Sequence, residues 1–256
     1  MSRKNPQTPP PDNALNGALF VPILIFGGAI VIALLVLLFG DSFSGTGESA
    51  PTRASSGALL DEQTMQRFTS EWDELGLAIG SADAPVVVRE FADYQCPACK
   101  AFEPIAEKLR EKYVDTGQVR FIFFNFPLAI HSHSREAAAA ARCAARQQAY
   151  WRYEKKLFTS QKRWSGADDP TQQFLNLAVE SEIELEPFKR CLQQGATDTL
   201  VTKNAKIART IGVASTPTVL VGRRVFTGVT PFETLTEEIE NQLAATNPTP
   251  PSTNSP

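Results

Sequence analysis

Two cysteines separated by two residues, Cys96-Pro97-Ala98-Cys99, constrain this chain more than any other feature in it. They follow the run Pro85-Val86-Val87-Val88-Arg89-Glu90-Phe91, which reads as a buried strand, and they open a segment from 97 to 113 that reads as a helix. The first cysteine therefore falls at a helix N-terminus, where unpaired backbone N–H groups and the helix dipole favour a thiolate. The spacing lets the two sulfurs close a small ring with little backbone movement. In disulfide exchange one thiolate attacks and the other thiol resolves the mixed disulfide. The alternatives are half of a zinc site or an inert bridge. A structural zinc site takes four ligands, but Cys143 and Cys191 stand alone, and His131 and His133 are a pair separated by one residue in a loop. The redox reading is preferred, with no metal and no cofactor expected.

The rest of the chain organises around that motif. A helix is expected from Leu60, Met65, Phe68, Trp72 and Leu75, and a second strand over 118–124. A long helix is expected to start at Ser134, read as its N-cap, and to run to about Phe158. Further helices are expected near 171–180, 185–194 and 198–211. A hairpin follows over 218–221 and 224–226, turning at Gly222-Arg223, and then a last helix over 231–244. Without the block 131–197, the order is that of a compact α/β unit with helices on both faces of a sheet. The block is too long for a loop and is expected to form a helical insertion. The domain reading is a tail at 1–17, an anchor at 18–40, a linker and lead-in helix at 41–70, an α/β domain at 71–130 and 198–245, the insertion at 131–197 and a disordered tail at 246–256.

No charged residue lies between Asp12 and Asp41. The apolar stretch 18–40 is long enough to cross a hydrocarbon core of roughly 30 Å, and it exceeds the roughly 7–15 apolar residues of a cleaved signal peptide. Arg3 and Lys4 precede it, whereas Asp41 and Glu48 follow it before the first arginine at Arg53. The positive-inside rule then places the N-terminus in the cytoplasm and the main domain outside, in the periplasm or an equivalent oxidising space. Residues 41–57, rich in Gly, Ser and Thr, read as a flexible tether. A net charge of -3 offers no basic face for nucleic acid, and no nucleic-acid partner is expected.

Two further signals accompany the cysteines. Glu90 interrupts an apolar strand six residues before Cys96. A buried carboxylate is costly unless it is neutral or has a task. Spacing leaves two readings open: an acid lying beneath the helix that exchanges a proton with Cys99, or a strand-end glutamate that faces water or pairs with Arg89. Thr216-Pro217 directly precedes an apolar strand, where a proline is acceptable as the first residue. A cis bond there would leave the Thr216 backbone free to pair with an extended peptide, and an ordinary trans strand start is the alternative.

Together these motifs resemble the thioredoxin superfamily. Glu90-Phe91 and Cys96-x-x-Cys99 are similar to its buried acid and active-site motif, and Thr216-Pro217 to its cis-proline loop. The insertion, with Arg142-Cys143-Ala144-Ala145 and Phe188-Lys189-Arg190-Cys191-Leu192, and Phe126-Pro127-Leu128 with His131, resemble the DsbA-like thiol:disulfide interchange proteins. The resemblance covers 77–130 and 198–245 as the α/β part. It implies a thioredoxin fold with an inserted helical subdomain, dithiol–disulfide exchange between proteins, catalytic roles for Cys96, Cys99, Glu90 and Pro217, and a substrate-binding role for Thr216 and Pro217. Strongly oxidising members carry a histidine inside the motif where this chain has Ala98, which implies a less extreme potential. Thr216 resembles the isomerase and reductase branches as much as the oxidases.

Cys143 and Cys191 fall on two expected helices of the insertion and are read as a structural disulfide, with two separate buried thiols as the alternative. His131 and His133 are read as loop and helix-start residues, and Trp72, Trp151 and Trp164 as packing. The reading that follows is an oxidase of cysteine-containing proteins outside the cytoplasm, recharged by a quinone-linked membrane partner. A reductase or isomerase fed by an electron-donating membrane protein is one alternative. A tethered, non-catalytic substrate-binding module is another.

Overall fold

The structure is a computed structural model and describes residues 56–246. The expected tail at 1–17, the apolar stretch 18–40, nearly all of the tether and the residues beyond Thr246 lie outside the described residues. Among the described residues no helix is long and apolar enough to cross a membrane.

The lead-in begins on the sheet itself. Gly57 donates to Val225 O, and Leu60 to Arg223 O, so this stretch lines the outer edge of the hairpin. Asp61 caps α1 (Glu62–Arg67) by accepting from the Thr64 N–H. A widened turn (Phe68–Trp72) and a tight one (Asp73–Leu75) continue it into a short strand, β1 (Leu77–Ile79). The expected lead-in helix is therefore shorter, and β1 adds an edge strand that three residues do not announce in the sequence.

β2 (Val86–Ala92) and β3 (Val119–Asn125) pair in parallel, Val88 opposite Phe121 and Glu90 opposite Phe123. Parallel neighbours need a crossover, which α2 (Pro97–Tyr113) supplies. Beyond β3 come the helices of the insertion, α3 (Ser134–Ala145), α4 (Tyr150–Thr159), α5 (Gln161–Ser165), α6 (Thr171–Glu180) and α7 (Leu185–Gln193). α8 (Asp198–Thr210) returns the chain to β4 (Thr218–Val221), which pairs antiparallel with β2. β5 (Arg224–Thr227) follows through a two-residue turn in which Gly222 takes φ +53°, a conformation that favours glycine. α9 (Phe232–Thr246) closes the domain, one residue past the expected boundary. The strand order is β1-β3-β2-β4-β5.

Strand alternation divides the core. Val86, Val88, Phe121 and Val219 pack with Phe102, Leu109, Leu235 and Ile239 from α2 and α9. Phe91, Ile122, Phe124 and Leu220 pack on the other face with Phe68, Trp72, Ala205 and Ile207. Arg89 belongs to this second face, where it binds Asp73 through two 2.7 Å hydrogen bonds and lies 4.7 Å over the Phe68 ring.

The expected single helix from Ser134 to Phe158 is two helices. Gln148 takes φ +59°, the Ala149 N–H reaches back to Ala144 O, and the Gln148 N–H to Ala145 O. That is a left-handed helix ending of the kind glycine usually makes. Ser134 is also not the cap: His133 occupies that place without a side-chain bond. The insertion is fastened to the sheet by buried Arg142. Its guanidinium donates to Asn125 Oδ1 at 2.6 Å, Asn204 Oδ1 at 2.6 Å and Leu75 O at 2.7 Å.

Candidate active site

β2 ends at the centre of the sheet, and the next residues build the site. Cys96 is the N-cap of α2 and Pro97 its first residue, where a proline costs nothing because that N–H would be unbonded anyway. Both cysteines are free thiols, Cys96 at the protein surface with 8% exposure and Cys99 fully enclosed. Cys99 sits one turn further in, and the Asp93 N–H points at its sulfur at 3.4 Å.

The two thiols are electrostatically unlike. A hydrogen bond from the Cys99 thiol, helped by Thr216 and by the Cys99 and Ala98 amides, outweighs burial and holds Cys96 down at about 5. Burial pushes the Cys99 thiol well above its ordinary range, and the neighbouring Cys96 adds to this. Alkylation of the reduced protein should report the difference. Only the thiolate reacts, so the Cys96 rate with iodoacetamide should climb through a midpoint near pH 5 and stay flat above it. A midpoint above about 8, the range of an ordinary thiol, would remove the activated nucleophile.

The loop before β4 completes the surface around Cys96. The Thr216–Pro217 peptide is cis. Thr216 O accepts from Cys96 Sγ at 3.5 Å, across 120 residues of sequence. Thr216 thus lies against the first cysteine, and Pro217 follows it through the cis bond.

Glu90 is 1% exposed, with neither carboxyl oxygen hydrogen-bonded. It neither faces water nor pairs with Arg89, which points to the opposite face of the sheet. Burial, with the charge of Glu103 adding to it, raises Glu90 to about 8. Its electrostatic neighbours are Glu103 and Arg110 of α2.

Sequence reasoning missed the residues that hold the motif in place. Asp93 has a fully buried side chain. Its Oδ1 accepts from the Gln95 N–H at 2.8 Å, and its Oδ2 accepts from the Leu128 N–H at 2.9 Å and lies 2.7 Å from His131 Nδ1. Gln161 of α5 donates to Tyr94 O and Cys96 O. Gln95 accepts from the His133 N–H and donates to Ser165 O. His131 and His133 therefore brace the active-site loop from the insertion. The one local cue was Asp93 itself, since an aspartate two residues before a turn amide commonly makes such a side-chain-to-backbone bond.

Cys143 of α3 and Cys191 of α7 form a disulfide with Cα atoms 5.8 Å apart, joining two helices of the insertion. Among the described residues no group of three His, Cys, Asp or Glu side chains could hold a metal ion.

Comparison with known proteins places this geometry. A family model described as Thioredoxin matches residues 73–241. The probable disulfide bond formation protein D of Bacillus anthracis is 30% identical over 171 residues, covering 65% of this chain and 77% of that protein. Disulfide bond formation protein D of Bacillus subtilis is 29% identical over 176 residues, covering 64% and 76%. The crystal structure of oxidised BdbD from Bacillus subtilis superposes with a TM-score of 0.60 at 27% identity, covering 75% of this chain and 99% of that one. The fold of Wolbachia pipientis alpha-DsbA1 matches with a TM-score of 0.59 at 23% identity, covering 66% and 92%. The family match and these relatives together show that the chain belongs to the thioredoxin superfamily as a DsbA-like thiol–disulfide oxidoreductase.

Proposed function

We propose that this chain is a disulfide-forming oxidase of cysteine-containing proteins outside the cytoplasm, with Cys96 as attacking and leaving thiolate and Cys99 as its partner. The observation that carries the reading is the Cys96 thiol held at about 5 beside a Cys99 thiol held high. A thiolate favoured at neutral pH stabilises the dithiol form, and a stabilised dithiol makes the disulfide the stronger oxidant. Against a thiol of ordinary pKa near 9, this favours the reduced form roughly a hundredfold at pH 7. The depression comes from Cys99, Thr216 and backbone amides, without a histidine inside the motif. The names of the Bacillus relatives, which describe disulfide bond formation, point the same way.

In this reading a substrate thiolate attacks Cys96 Sγ of the disulfide, and the electron pair of the broken S–S bond leaves on Cys99. The substrate's second thiolate then attacks the substrate sulfur of the mixed disulfide and displaces Cys96 as a thiolate. The substrate loses two electrons and the Cys96–Cys99 pair gains them. An extended substrate segment lies along the Thr216 backbone, which already borders Cys96. A membrane redox partner, quinone-linked, takes the two electrons away.

Residues 18–40 anchor the chain, with Arg3 and Lys4 on the cytoplasmic side and the catalytic domain beyond them, in the periplasm or its equivalent. Thiol trapping in intact cells tests direction, and a reporter fused after Thr246 that works only in the cytoplasm tests topology. The expected outcome is a Cys96–Cys99 pair trapped mostly as disulfide and a silent reporter. A pair trapped mostly as dithiol would turn the assignment to a reductase or isomerase, and an active reporter would overturn the location.

A further inference from the structure

α4 of the insertion carries an acid into the core beneath the active-site helix. Glu154 has no exposed surface, and neither of its carboxyl oxygens is hydrogen-bonded. Arg110 Nη2 lies 3.7 Å from it and donates to Glu103 at 2.7 Å. Glu90, also buried and unbonded, faces the same group from β2. Three carboxyls, two of them fully enclosed, thus surround one largely buried guanidinium. Fully ionised, the group would carry an excess of two negative charges, which a buried site does not sustain. Cys99 and Glu103 are four residues apart on α2, so the group begins one helical turn below the buried thiol.

We propose that Glu154 is a positioning residue of the exchange reaction: it completes this buried group, so that the group keeps a proton at neutral pH and lends it to Cys99. The inference rests on the exchange chemistry proposed above. When the Cys96–Cys99 bond breaks, the electron pair lands on Cys99 in an enclosed site. A carboxyl proton then forms the Cys99 S–H and leaves a carboxylate. Solvent returns that proton from the pool the substrate thiols released when they ionised. Of the two substrate protons, one ends on Cys99 and one in solvent.

The groups facing Glu154 are Glu103 and Arg110 of α2, Glu90 of β2, and the Tyr94 and Tyr150 hydroxyls, which lie 2.7 Å apart. Burial and Glu103 both raise Glu154, as they do Glu90. Glu103 and Glu90 both push Glu154 up, so without Glu154 the group holds its proton on Glu90, less strongly.

The experiment is the pH profile of substrate-dithiol oxidation in Glu154→Gln, with the Glu154→Asp variant beside it. The protonated group is the donor, so the rate falls as pH rises through its pKa. Glu154→Gln should move that falling limb toward acid by about one pH unit or more, and Glu154→Asp should restore most of it. Infrared spectra of the wild-type protein at pH 7 should show a buried protonated carboxyl, which Glu154→Gln diminishes. An unmoved limb in a folded Glu154→Gln, or no protonated carboxyl in the wild type, overturns the proposal. Cys99→Ser separates the two levels. If it traps mixed disulfides while the Glu154→Gln limb stays put, only the role of Glu154 falls. If it traps none, the exchange chemistry falls and the role of Glu154 with it.

Discussion

Cys99→Ser is expected to accumulate mixed disulfides with substrate proteins, whereas Cys96→Ser forms none and loses exchange to background. The asymmetry is structural. Cys96 is the thiol at the helix start, bordered by Thr216 O and held largely as thiolate. Cys99 has no exposed surface and is held protonated by burial. An incoming disulfide can meet only the first sulfur. Once Cys96 is bonded to the substrate, only Cys99 is near enough to resolve the bond from the enzyme side, and a serine there cannot. Non-reducing gels of both variants with a disulfide-containing protein substrate decide the matter, Cys96 attacking the substrate disulfide and releasing one substrate thiolate. Adducts from Cys96→Ser and none from Cys99→Ser would invert the assignment.

The other large effect belongs to stability. The Cys143–Cys191 bridge closes a loop of 48 residues. In the chain-entropy account such a closure contributes about 4 kcal/mol by restricting the unfolded chain. Cys143→Ala should therefore lower the thermal midpoint by roughly 10 °C in a domain of this size. The double variant Cys143→Ala/Cys191→Ala should behave alike, which excludes an effect of the stranded thiol. Neither α3 nor α7 carries the C-x-x-C, so exchange at a permissive temperature should stay within about twofold of the parent. Full stability in both variants, or activity lost with stability kept, would end the structural interpretation. Differential scanning calorimetry with a parallel turnover assay measures both.

The chain's own letters disclosed the central strands, α2 and the hairpin because each carries a strong local signal. Phe121 to Phe124 are an unbroken buried run that points alternately to the two faces of the sheet, Pro97 sits where a helix begins, and Gly222 marks a turn. The break between α3 and α4 was hidden because a glutamine, Gln148, adopts the left-handed ending in place of glycine. β1 was hidden because its three residues follow their pairing with β3 and have no pattern of their own. At the site, the cysteines, Glu90 and Thr216-Pro217 stood out by residue type and spacing. Asp93, Gln161 and Glu154 did not, because each acts through partners remote in sequence: Gln161 bonds Tyr94 O 67 residues away, and Asp93 meets His131 across 38. Glu154 looks in sequence like one more acid on an amphipathic helix.

The same sheet order has a bearing on how the chain is made. β2 gains its β3 neighbour soon after synthesis, but its other edge stays open until β4 arrives behind the whole insertion. A chain emerging from the ribosome or a translocation channel thus carries an unfinished edge strand and two cysteines in loose surroundings, the type of intermediate that aggregates or cross-links. Thr216, one of the groups that makes Cys96 reactive, is among the last parts delivered, 120 residues downstream. The nucleophile lacks that one contribution until the sheet has closed, although the larger one comes from Cys99, three residues away. Late delivery of Thr216 leaves the motif without the backbone that borders its first sulfur until the domain is whole.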